Sequence, residues 1–181
     1  MLNDSLVSMA FHEAGHTVAA FWQGFSCEKI AINPAGTGSA YINYGMHDEL
    51  AATIIYNRPI EDMQSDQYPD IPTFVNQICF ITLAGLVAEY ILNHQISDCI
   101  LKSELLKNGP DLLKVELIAK RFDVRVDELV EQLFITLISE ECWGAIKSLV
   151  YHLIDKGKLE LSRYEIHSIL HYSGFLDYLN S

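Results

Sequence analysis

The chain has 181 residues, 50% hydrophobic and 20% charged, enough for one sizeable core, so a single soluble domain spanning 1–181 is expected. Its formal net charge of −12 and the lack of any Lys/Arg run argue against nucleic acid or an anionic membrane surface as a partner. The apolar run 78–92 is shorter than a spanning helix and holds Glu89, the first residues carry no basic stretch, and Cys27, Cys79, Cys99 and Cys142 lie outside CxxC spacing. No membrane insertion or signal peptide is therefore expected, and the thiols read as buried groups of a reducing, cytoplasmic compartment.

The first predicted element is a helix. Asn3, Asp4 or Ser5 can cap it, Leu6, Met9, Ala10, Phe11, Ala14, Val18, Ala19 and Trp22 recur at helical spacing, and Gly24 can stop it. Within it lies Phe11-His-Glu-Ala-Gly-His-Thr-Val18, a His-Glu-x-x-His motif. Positions i and i+4 stack on one helix face, so His12 and His16 can offer imidazole nitrogens to one metal ion, with Glu13 beside the ion but not bound to it. That spacing suits a zinc peptidase, in which the metal makes water acidic and a carboxylate carries its proton to the leaving amine. The competing reading is a core helix with two unrelated histidines.

Two short strands follow, 28–32 and 39–44, joined by the turn-forming cluster Asn33-Pro-Ala-Gly-Thr-Gly38. The second is a candidate shelf that holds an extended substrate by main-chain hydrogen bonds; the alternative is a simple capping hairpin. A short helix is predicted over 49–56, then a surface loop over 57–72, where Pro59, Pro69 and Pro72 interrupt any pattern. Residues 73–93 form an apolar central helix. Gly85 and Glu89 share a face there, so the glycine can admit the helix of His12 and His16 and bring Glu89 to a histidine's second N–H. The alternative is an exposed Glu near a helix end.

A further helix starts near Gly109-Pro110, with Asn108 or Gly109 as cap and Leu112, Val115, Ile118, Ala119 and Phe122 as its stripe. Asp111 falls in its first turn, where the helix dipole favours an acid in any protein, so capping is the default reading from position alone. A long helical region over 127–156 is expected to break near 139–143. Residues 161–170 read as a helix capped by Ser162, with Glu165 completing a capping box. His152, His167 and His171 are assigned to surface or packing, and the chain holds neither an internal repeat nor a phosphate-binding glycine loop.

Four stretches, in this order, resemble the peptidase domain of the FtsH family of ATP-dependent zinc metalloproteases. They are the His-Glu-x-x-His segment 11–18, Thr82-Leu-Ala-Gly-Leu-Val-Ala-Glu-Tyr-Ile91, Gly109-Pro-Asp-Leu-Leu-Lys-Val115, and the ending 159–170. The resemblance implies Zn2+ as cofactor, His12 and His16 as ligands, Glu13 as general base and Asp111 as third ligand, with Glu89 behind a ligand histidine or as an alternative ligand. It also implies a mainly α fold with a small β-hairpin near the motif helix. The chain departs from the family at Ala84-Gly85-Leu86-Val87, where Gly-Gly-Arg is usual, and at Gly109-Pro110, where Ser-Asn is usual. These residues contain no Walker motif and no counterpart of the family's membrane and ATPase segments.

Together these features predict an ATP-independent zinc endopeptidase acting on peptides or unfolded protein, with a separate ATPase or a homo-oligomer as partner. The alternative is a catalytically weak or inactive zinc-binding module that works through protein partners. Retention of Glu13 favours the enzyme; loss of the arginine and of the ATPase favours the module.

Overall fold

The computed structural model describes residues 4–58, 70–94 and 109–181. In chain order they form α1 (Asp4–Trp22), β1 (Ser26–Asn33), β2 (Thr37–Asn43), a 3-10 turn at Gly45–His47, and α2 (Asp48–Ile55). Then come α3 (Ile71–Asn93), α4 (Pro110–Phe122), α5 (Val126–Leu137), α6 (Glu140–Ile154), β3 (Glu160–Ser162), α7 (Arg163–Tyr172) and α8 (Phe175–Leu179). The fold is mainly helical with a small antiparallel sheet, as the sequence predicts.

The motif helix runs as expected and ends at Gly24, whose φ of +82° a residue with a side chain rarely adopts. The hairpin turns through Gly36, also at positive φ. The sheet order is β2-β1-β3, with Ile30 opposite both Ala40 and Leu161. The expected hairpin of β1 and β2 is present, and a third strand adds to it. Its three residues show no alternation long enough to read, and it is recruited by pairing with β1. Ser162 closes this strand and caps α7, and both halves of the capping box with Glu165 are present.

α3 begins two residues before its expected start, at Ile71 with Pro72 in its first turn, and so reaches 23 residues, longer than the apolar run 78–92 that by itself is too short to span a membrane. By length and composition it could cross one, yet most of its apolar window is buried inside the protein. α1 packs along one side of it and α4 and α5 along others, with α1 in turn covered by α6 and the sheet. That sandwiching explains why α3 lacks a polar face. The predicted break in 127–156 falls at Ser139, whose hydroxyl accepts a hydrogen bond from the Cys142 amide at 3.3 Å and starts α6. Of the predicted loop 57–72, residues 59–69 lie outside the described residues, as do Asn3, Asn108 and Cys99. Cys27, Cys79 and Cys142 are buried free thiols.

Candidate metal centre

His12, Glu13 and His16 project from adjacent turns of α1 by helical geometry alone. The two imidazoles meet edge to face, with Nε2 atoms 3.0 Å apart. Asp111 arrives from the first turn of α4, and its Oδ2 lies 3.0 Å from His12 Nε2 and 3.4 Å from His16 Nε2. These three side chains each point one donor atom into a common space.

Proton placement gives the cluster its chemistry. His16 Nδ1 is 2.7 Å from the Ile81 carbonyl oxygen, which can only accept, so Nδ1 donates and the Nε2 of the neutral ring is a bare lone pair. Oε1 of Glu89 lies 2.9 Å from His12 Nδ1. That approach is close but off the N–H axis, so Nδ1 has a charge contact rather than an aligned hydrogen bond. The carboxylate still favours the proton on Nδ1, leaving His12 Nε2 bare as well. Two lone pairs and a carboxylate oxygen then face one another, an arrangement that repels unless something positive lies between them. Zinc bonds of about 2.0–2.1 Å in a tetrahedron put donors about 3.3 Å apart, and the observed separations are 3.0, 3.0 and 3.4 Å. These three donors therefore stand at separations that one tetrahedral zinc ion would bridge.

In the metal-free protein a proton takes the cation's part. Burial disfavours charge on His12, but contacts with Asp111 and Glu89 outweigh it and push its pKa up to about 9. Burial would likewise raise the Asp111 carboxyl; His12, His16 and Lys114 instead hold it well below the usual range. Glu13 is 4% exposed, and that burial raises its pKa against the pull of His16, His12 and the Ala40 amide. A carboxylate shifted toward neutrality is a better proton acceptor at physiological pH.

The three residues line a cleft of about 510 Å³ that also takes in Leu86 and Glu89 of α3 and the β2 residues 37–40. β2 is one of the two edge strands of the sheet among the described residues, and the one on the cleft side. It runs directly over Glu13, where a Cβ on Gly38 would lie 2.7 Å from Oε1. The hairpin is expected near the motif helix, and there it lies. Of the two acids considered, Asp111 joins the donor set, while Glu89 stands on the far nitrogen of His12. His152, His167 and His171 line no part of the cleft.

Sequence reasoning missed Lys114, whose Nζ is 2.8 Å from Asp111 Oδ1. Its i,i+3 spacing from an acid at a helix start was the available signal. No protein-family model matches the chain, and no curated protein matches it in sequence.

Proposed function

We propose that this chain is a zinc-dependent endopeptidase of the kind found in the FtsH-family peptidase domain, acting in the cytoplasm on peptides or loosely folded protein without ATP of its own. In this reading His12, His16 and Asp111 hold the ion and leave one position open. Zinc held there supplies Lewis acidity, which makes water acidic near neutral pH and polarises a scissile carbonyl. Glu13 accepts the water's proton and returns it to the leaving amine. The free edge of β2 aligns the substrate backbone along the cleft, and Glu89 keeps the His12 proton on Nδ1. Its partner would be a separate ATPase, which would deliver unfolded substrates, or further copies of the chain in a homo-oligomer.

The observation that carries the reading is the convergence of three lone-pair donors at zinc-like separations beside a buried, proton-accepting Glu13. The absence of an arginine from Ala84-Gly85-Leu86-Val87 favours the alternative, a catalytically weak or inactive zinc-binding module that works through protein partners. Casein cleavage by wild type and Glu13→Gln, each with zinc counted, decides between them. The peptidase reading expects one zinc per chain in both and activity only in wild type. Equal cleavage by the two proteins removes Glu13 as the base, and no cleavage by zinc-loaded wild type favours the module.

A further inference from the structure

We propose that Lys114 is a positioning residue: it holds Asp111 as a one-oxygen donor and so keeps the fourth position of the metal centre open. The inference rests on the metal reading above. Asp111 divides its two oxygens cleanly, with Oδ2 facing the two Nε2 atoms and Oδ1 at 2.8 Å from Lys114 Nζ. Lys114 is the one Lys or Arg lining the cleft among the described residues, a cleft that also holds the acids Glu13, Glu89 and Asp111. Its side chain is 48% exposed against 10% for Asp111, so the lysine reaches in from the rim toward a carboxylate fixed in the interior.

The oxygens of a free carboxylate are chemically equivalent, and both can close on one ion. At this site a second oxygen would occupy the place that water or a substrate carbonyl must take. A charge-assisted hydrogen bond from Nζ engages Oδ1 and removes it from that competition. It also draws electron density from the carboxylate, so Oδ2 donates less and the ion stays more electrophilic. The spacing makes the device local, because residues three apart on a helix are neighbours and the pair comes with the fold of a single turn.

The test replaces Lys114 with Met, which keeps length and loses charge, and with Arg, which restores a cationic donor. Each protein is loaded with Co2+, whose visible absorption is intense in four-coordinate sites and weak in five-coordinate ones. Wild type and Lys114→Arg are expected to share the intense spectrum. Lys114→Met should keep one cobalt per chain and show the weaker spectrum, and its zinc form should lose peptide turnover by roughly tenfold. A Lys114→Met spectrum identical to wild type at equal loading overturns the proposal, as does an Arg variant that behaves like Met. Failure of the metal reading looks different: wild type then takes up no cobalt, or His12→Ala takes up as much as wild type. Both variants should still unfold cooperatively, Lys114→Met at a somewhat lower temperature because buried Asp111 loses a charged partner, and equal cobalt loading separates lost coordination from lost fold.

Discussion

Gly85 of α3 and His16 of α1 approach so closely that a methyl group on the glycine would lie 2.6 Å from the imidazole Nε2, and 2.7 Å from Nε2 of His12. Space for both rings thus exists because α3 has a hydrogen where other residues carry a Cβ. Gly85→Ala should turn the rings aside and weaken zinc binding by at least about tenfold. The fold should survive, since ring ends can rotate and alanine favours a helix by up to about 1 kcal/mol. Gly15, on the opposing helix, gives the contrasting result. Its added Cβ would meet the Ala84 carbonyl oxygen and the Ala88 Cβ, each at 2.7 Å, and backbone cannot rotate away. Gly15→Ala should therefore push α1 from α3 and cost about 1–3 kcal/mol of stability. Chelator competition and urea unfolding on both variants check the pair; wild-type zinc affinity in Gly85→Ala would show that the rings have room to spare.

Asp111 and Glu89 touch different nitrogens of His12, at 3.0 Å and 2.9 Å, and should differ in what their removal does. Asp111→Ala is expected to strip most of the zinc, because a donor atom is lost. Glu89→Ala should retain the ion with affinity lowered roughly ten- to a hundredfold, because only the support of a ligand is lost. Zinc titration ranks the two, and equal loss, or the reverse order, would make Glu89 the third ligand.

In the metal-free protein the His12 pKa stands at about 9, above its ordinary 6.5. A pKa raised by folding contributes stability that is complete below the unfolded value and disappears as pH climbs through the folded value. Metal-free protein should accordingly lose stability between pH 6.5 and about 9, and His12→Ala should flatten that slope. Zinc affinity should run the opposite way, rising across the same window because the His12 proton must leave before the ion binds. Denaturant melts of chelator-treated protein at the two ends of the window measure the first effect, and calorimetry in buffers of different ionisation enthalpy counts the proton released. Stability that is flat or rises with pH in this range would mean His12 holds no proton there.

The elements that sequence alone determined are those with local causes. The motif helix follows from a 3.6-residue apolar period closed by Gly24, and that helix by itself puts His12 and His16 on one face. The helix at Arg163–Tyr172 follows from the Ser162–Glu165 capping box, and the break at Ser139 from a hydroxyl free to cap the next helix. Tertiary structure decided the rest, because its causes lie far apart along the chain. Asp111 comes to His12 from 99 positions away, and its position in a helix's first turn would suit a simple cap equally well. What selects the other outcome is packing: the glycines Gly15 and Gly85 let α1 and α3 close up, and α4 docks on α3 and turns its first residue pair toward the histidines. The same closure carries Glu89 to the far side of His12. β3 exists only because β1 offers it an edge, and Lys114 reaches the site only because Asp111 was brought there first. Periodicity and caps act through neighbours within a turn or two, whereas the donor set depends on which helix faces meet, and that is settled by the burial of the whole core.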